Sequence, residues 1–467
     1  MRRKTVIFSV FHILFIVYIF LCSLLNINNL TIVSLQYILV VLFIENVVLS
    51  FIGKYFNLYQ IFLGTSFLFI YSRIFLDMLG FCDFRVLNLW ENSYMTEQEA
   101  KLLLLTIIVF LVATSIAWLF YIHFERLLEP KTQCYFEHLY LSKLGNIIQI
   151  VFYILIILNI IKSLIIIRLV QIHGYLFLFD GRLQTYPFPF ILRVQTIIEI
   201  IFPILLFYRR DFKSFKRNIV LYLIYLAIKL LTGQRGPTFV SLLLILWIFS
   251  TYYKRINMLK LSMIGMASIG LIQFILWFRE GYSSNSSIVF SLLYSQGISL
   301  LVISGTIRHL NVFTNKIPFI LGYFVDFFTI TFNKQLSIGQ NLGKLQYGNY
   351  LNDHLTYALS PEKYLIGNGT GTAMIAEFYE FVHGDLILLF VISFIFMLCV
   401  LLISNLFYKN IFTYVFIYYI LYYFIYSPRD SVFKSIKYIV FSFPFIIFFK
   451  FIEIKKYNQS IKMEVPK

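Results

Sequence analysis

The stretch Leu230-Leu231-Thr232-Gly233-Gln234-Arg235-Gly236-Pro237-Thr238 decides how this chain is read. It interrupts one long apolar run and leaves two, each of a length that suits a membrane span. The break is polar, glycine-bounded and carries an arginine. Runs of this kind recur along all 467 residues, which are 60% hydrophobic and 13% charged. A soluble domain carries about a quarter charged residues. Repeated apolar runs of roughly 18 residues or more mark a polytopic, all-α membrane protein.

Working outward, spans are expected at 6–25, 31–52, 58–79, 102–122, 147–170, 190–208, 219–232, 237–253, 259–278, 385–403, 411–427 and 436–452. Basic residues in short loops set the orientation. Arg2, Arg3 and Lys4, then Arg209, Arg210, Lys213, Lys216 and Arg217, then Lys254, Arg255 and Lys260, then Lys455 and Lys456 all fall on one face. That face is expected to be cytoplasmic, with both termini inside. The net charge of +17 follows from these clusters, so it does not indicate nucleic-acid binding. The reading is one membrane domain over 1–467, with a large outer loop or cap at 279–384. Two apolar pieces of that loop, 288–305 and 317–332, are either interfacial, re-entrant or spanning; if both span, the count rises to fourteen. Cys22, Cys82, Cys134 and Cys399 show neither pairing nor metal spacing. The basic start and apolar run have no small-residue cleavage site, so they read as an uncleaved first helix.

Several basic residues lie at the outer ends of spans, against the inside rule: Lys162, Arg168, Lys229, Arg235, Arg279 and Arg429. Snorkelling and local pairing explain some of them, as in Arg73 with Asp77 or Arg429 with Asp430. A shared anionic ligand explains the set more economically, because a guanidinium fork matches phosphate. Pro237 suits the first position of a helix and Gly236 its cap, which sets a helix N-terminus beside Arg235. The plainer alternative is a tight turn whose Arg235 reaches lipid phosphate. The intramembrane acids Glu45 and Glu199 are expected to pair with basic residues across helices.

A second constellation runs from Gly367 to Asp385. Its glycines do not form a dinucleotide pattern. Thr372 is expected to cap a short helix carrying Glu377 and Glu380, with His383 one turn further and Gly384 allowing a bend. Glu377 and His383 are candidate general bases, and His354 a third. Glu380 and Asp385 read as solvated acids. No ligand signature calls for a metal, and no cofactor is expected.

The run Leu231-Thr232-Gly233-Gln234-Arg235-Gly236-Pro237 resembles the arginine-glycine turn of Wzy-type O-antigen and capsule repeat-unit polymerases. Tyr294-Ser295-Gln296-Gly297-Ile298-Ser299-Leu300 and the glycine-rich run into Ala376-Glu377-Phe378-Tyr379 are similar to stretches of the same family. After the last of these, Glu380-Phe381-Val382-His383-Gly384 departs from the Asn-Phe-Gly-like residues that the resemblance leads one to expect. The resemblance implies a metal-independent glycosyltransferase at the outer leaflet of the cytoplasmic membrane, compatible with a GT-C-like architecture. It implies transfer of a glycan from undecaprenyl diphosphate to a sugar hydroxyl of another lipid-linked repeat unit. Arg235 and Arg279 are then the expected diphosphate ligands. Lys229, Gln234, Gly236, Arg308 and Arg429 are further diphosphate or glycan contacts. Expected partners are the lipid-linked oligosaccharide, membrane lipid, a chain-length regulator and a flippase, and no nucleic acid.

Two other functions fit parts of this pattern. A polysaccharide or O-antigen ligase would use the same donor with a different acceptor. A transporter or flippase would share the span number, but repeat-built transporters show matched interrupted helices in two halves, and this chain has no internal repeat.

Overall fold

A computed structural model describes residues 30–51, 56–87, 93–125, 141–178, 182–193, 195–209, 211–233, 235–254, 256, 288–313, 317–333, 336, 338–407 and 410–464. The expected spans at 6–25 and 259–278, and Arg279, lie outside them. The described elements are α1 (Ile32–Ser50), α2 (Leu58–Met78), a two-residue hairpin β1 (Val86–Leu87) and β2 (Ser93–Tyr94), α3 (Glu97–Glu125) and α4 (Leu141–His173). Then come α5 (Gln195–Tyr208), α6 (Phe212–Leu231), α7 (Arg235–Tyr252), α8 (Ile288–Gln296) and α9 (Ser299–His309). The short helices α10 (Phe319–Val325), α11 (Phe327–Phe332), α12 (Leu342–Tyr347), α13 (Leu351–Leu359), α14 (Pro361–Leu365) and α15 (Met374–Phe381) precede the long α16 (Leu386–Ser404), α17 (Ile411–Tyr426) and α18 (Ser435–Glu464). The fold is thus all-α and polytopic. Among the described residues seven helical segments are long and apolar enough to cross a membrane, and Ile197–Tyr208, Gly236–Tyr252 and Ile411–Tyr426 are shorter apolar helices.

The chain forms two compact units. The first comprises residues 1–129, 243–402 and 423–433, the second 130–242, 403–422 and 434–467. In the first, α3 is almost wholly buried. It runs antiparallel to α2: Tyr59 stacks on Trp118, and Phe62 meets Phe110. The loop between α2 and α3 is pinned by Phe84 N–H donating to Asp77, Met95 N–H donating to the Arg85 carbonyl and an Arg85–Asp83 ion pair of 2.8 Å. Phe81 and Glu99 therefore mark the same end of this helix pair.

That end fixes the path of α8 and α9. Phe81 packs on Phe290 at 3.9 Å between ring centroids. Seven residues later, Gly297 lies against Ser72 and Arg73, inside α2. A straight helix over this segment would carry Arg308 roughly 16 Å further along α2, since the rise is about 1.5 Å per residue. Instead Arg308 grips Glu99 through Nε at 2.8 Å and Nη2 at 2.7 Å, and Nη2 also donates to the Tyr94 carbonyl at 2.9 Å. The helix therefore bends at Gly297–Ile298, away from the axis of α2, with helical hydrogen bonds resuming from Leu300. By length and hydropathy Val289–Val312 is a crossing, with this bend near its middle.

A bend between two helical segments leaves helix-end carbonyls without partners. Here α2 supplies them. Ser72 Oγ donates to the Leu293 carbonyl at 2.9 Å and Arg73 Nε to the Tyr294 carbonyl at 3.0 Å. Both follow a π-helical turn, Phe67–Tyr71, a local widening of the kind that recurs at functional sites. A Cβ on Gly297 would come 2.6 Å from Ser72 Oγ and 2.7 Å from Arg73 Cγ, so only glycine fits. Segment 317–332 is not a span; it breaks into α10 and α11 at Asp326, a buried residue whose carboxylate accepts Asn349 N–H at 2.6 Å.

In the second unit α6 ends at Thr232, Gly233 takes φ +100°, and α7 already starts at Arg235. The helix begins two residues before the expected start at Pro237, because the left-handed residue that reverses the chain is Gly233 and not Gly236. Pro237 sits in the first turn, where its missing N–H is no loss. Its carbonyl accepts Tyr422 Oη at 3.1 Å.

Candidate active site

Of the expected catalytic residues, Glu377, His383 and His354 belong to the first unit, and Glu377 is bonded to the glycine-rich run. Gly367 and Gly371 hold φ of +95° and +75°, the region glycine favours, so the run can fold tightly. Thr370 N–H donates to Thr356 Oγ1 on α13 at 3.0 Å. Met374 N–H donates to the Ser427 carbonyl at 2.9 Å. The run is thus stitched between α13 and the turn that follows α17.

Glu377 is the centre of the network. It is 1% exposed; Thr372 Oγ1 donates to its Oε1 at 2.9 Å and Ser431 Oγ to its Oε2 at 2.7 Å. Thr372 was expected to cap α15, and it does not. The cap position is Ala373, in an extended conformation, which sets the Thr372 hydroxyl one residue too early for the backbone and within reach of Glu377. Arg429, two residues before Ser431, donates from Nη1 to the Thr370 carbonyl at 3.4 Å. The guanidinium lies against Gly371, where a Cβ would sit 3.5 Å from Nη1. A cation and a carboxylate therefore belong to one hydrogen-bonded cluster.

Glu380, read from sequence as a solvated acid, is 5% exposed. Its Oε2 accepts Phe319 N–H at 3.1 Å, so it closes the first turn of α10. Burial pushes its carboxyl up to about 7, against a smaller lowering by that hydrogen bond. Burial likewise raises the Tyr323 phenol far above its ordinary range, reinforced by the charges of Glu377 and Asp430. Gly384, at φ +82°, makes the expected bend into α16.

The other candidates lie apart from the Glu377 cluster. His383 follows α15 in a left-handed conformation, φ +50°, with its side chain exposed. His354 Nε2 bonds the Gly348 carbonyl at 2.8 Å and its ring packs near Phe319. Arg308 is engaged by Glu99. In the second unit, buried Lys229 meets Glu199 at 2.9 Å, the cross-helix pairing expected of Glu199. Gly236 is half-buried in the first turn of α7; Gln234 and the Arg235 side chain lie outside what the structure describes. Among the described residues no group of three or more His, Cys, Asp or Glu is placed to hold a metal ion.

Sequence reasoning missed Arg73. It was expected to pair with Asp77, one turn on. In the structure Asp77 instead accepts from Gln36 Nε2 at 2.6 Å and from Phe84 N–H. Arg73 turns the other way, its guanidinium over the Tyr294 ring at 4.1 Å. The available signal was a charge at membrane depth, together with a Tyr-Ser-Gln-Gly run whose glycine had no local explanation.

No curated protein and no solved structure matches the chain. A family model does, O-antigen polysaccharide polymerase Wzy, over residues 5–459. That match takes in nearly every element described above, and the chain belongs to the O-antigen polysaccharide polymerase Wzy family.

Proposed function

We propose that this multi-pass polymerase transfers a growing glycan from undecaprenyl diphosphate to a sugar hydroxyl of another lipid-linked repeat unit. We place the reaction at the outer leaflet of the cytoplasmic membrane, with both termini cytoplasmic, as the basic loop clusters favour. The acceptor oxygen bonds to the donor's anomeric carbon as the bond from that carbon to the diphosphate oxygen breaks. The diphosphate leaves with the electron pair and stays on its lipid. The acceptor proton passes to a carboxylate.

The observation that carries this reading is the Arg429 guanidinium on the Thr370 carbonyl, in the same cluster as Glu377. Arg429 is set to meet the charge that develops on the departing diphosphate. Glu377 is the candidate proton acceptor within the cluster; an incoming sugar hydroxyl would replace the Ser431 hydroxyl on its Oε2. His354 and His383 lie outside that cluster, which favours Glu377 over them as base. Arg235 and Arg279 remain candidate anion ligands of their own segments, each open to its own alanine test, whereas Lys229 is closed on Glu199 at 2.9 Å.

The test is complementation of a polymerase-deletion strain with Arg429→Ala and Glu377→Gln. Both variants should insert at normal levels and leave only single repeats attached. Normal polymer from both would refute the reading, and polymer made but left unattached would point to a ligase.

A further inference from the structure

Arg73 is 5% exposed, yet no carboxylate among the described residues pairs with it. A buried, unpaired guanidinium is costly and is not retained without a partner. Its Nε and ring-facing surface are used by Tyr294. Its two Nη groups have no hydrogen-bond partner among the described residues. The acid one turn away is held by Gln36 and Phe84.

The position of a second cation sharpens this. Phe69, four residues before Arg73, touches the ring of Tyr426, three residues before Arg429. The like charge of Arg429 bears on Arg73. Arg429 in turn has a backbone carbonyl as its side-chain partner. The Phe69–Tyr426 contact thus brings together the segments that carry the two arginines, one on the π-distorted α2 and one on the turn after α17, and among the described residues no carboxylate forms an ion pair with either guanidinium. Like charges repel, and an anion bridging both would remove that repulsion and supply acceptors to both forks.

We propose that Arg73 is a second ligand of the donor's diphosphate, taking one phosphate while Arg429 takes the other. The proposal rests on the diphosphate reading of Arg429 given above. It also assigns a purpose to the bend at Gly297. Through Nε and the Tyr294 carbonyl, the bend holds the Arg73 fork in one orientation, and Gly297 is what lets it come close enough. Arg73 touches the ligand, whereas Tyr294 and Gly297 are positioning residues.

The test uses the full-length protein in detergent, titrated separately with undecaprenyl diphosphate, undecaprenyl monophosphate, inorganic pyrophosphate and phosphatidylglycerol. Arg73→Lys keeps a cation beside Tyr294 but loses the fork. Undecaprenyl diphosphate should bind this variant at least about tenfold more weakly, the scale of one charge-assisted contact, with the monophosphate much less affected. The preference for diphosphate over monophosphate should shrink accordingly. Unchanged diphosphate affinity in a variant with a wild-type melting temperature overturns the proposal. So does an equal loss for phosphatidylglycerol, which would mark a general anionic-lipid contact.

A wild-type measurement keeps the idea falsifiable if Arg73→Lys does not fold. A photoreactive lipid diphosphate should crosslink both the Arg429 turn and the Arg73–Tyr294 bend, and unlabelled undecaprenyl diphosphate should compete. Crosslinks at the Arg429 turn alone would reject Arg73 and leave the reading of Arg429 standing. Crosslinks at neither would reject both.

Discussion

Two buried cations of this protein have opposite surroundings. Lys229, in the second unit, has Glu199 at 2.9 Å. Arg73, in the first, has a carbonyl, an aromatic ring and another arginine's charge, and among the described residues no acid pairs with it. Charges at membrane depth are expensive in both cases. A pair closed within the protein holds helices together and needs no ligand. An open pair of like charges is stable only when something negative arrives. Burial alone therefore does not single out a candidate ligand-binding cation; the proposal for Arg73 rests on its having no paired carboxylate among the described residues.

The comparison can be broken from either side. The largest effect is expected at the open site. Arg429→Ala should lower polymer formation by about 10²–10³-fold, the scale of losing one preorganised charge-stabilising group, as measured by glycan ladders at equal inserted protein. A loss below about threefold would remove the distinction.

Next comes the closed pair. Lys229→Ala leaves the half-buried Glu199 without its ion-pair partner, with Tyr438 still beside it, and should destabilise by about 1–3 kcal/mol. Replacing both by methionine should recover most of that, because the desolvation penalty of both charges disappears with them. Thermal unfolding in detergent reads the difference. If the single and double variants melt alike, the pair is not a structural one.

Gly297→Ala forces a Cβ within 2.6 Å of Ser72 Oγ and 2.7 Å of Arg73 Cγ. Overpacking of this kind costs about 1–3 kcal/mol. Ser72→Ala in the same chain should return part of it and Leu300→Ala none. A Gly297→Ala chain that melts as wild type would mean that the bend is not tightly seated on α2.

The smallest expected effect concerns Glu380. Its carboxyl is raised to about 7 in the fold, above its ordinary value near 4.5. The folded state then binds more protons than the unfolded state between those values, so stability falls as pH rises from about 4.5 to 7. Glu380→Gln should flatten that slope in melting curves. An unchanged slope would mean that Glu380 is not the group titrating.

Much of the fold was legible because hydropathy is a local property. The run read as 31–52 is α1 at Ile32–Ser50, and the one read as 385–403 is α16 at Leu386–Ser404. Membrane burial needs only length and apolar content. The bend at Gly384 was legible for a similar reason, since turn chemistry acts within a few residues, whereas the cap expected of Thr372 falls at Ala373. What was lost depended on distant partners. Arg73 had an acid four residues away, and its actual partner, Tyr294, is 221 residues along the chain. Glu380 read as solvated because Phe319, whose N–H it accepts, is 61 residues upstream. The bend at Gly297–Ile298 was not legible, because hydropathy cannot say whether a 22-residue apolar stretch runs straight; Gly297 on Ser72 and Arg308 on Glu99 show that it does not.

The most direct test reconstitutes the purified protein in liposomes with lipid-linked repeat unit as sole substrate and follows chain extension on gels. Wild type should build a ladder and release undecaprenyl diphosphate in step with each linkage. Arg429→Ala, inserted to the same level, should leave the repeat unit unextended. A wild-type ladder from Arg429→Ala would contradict the account.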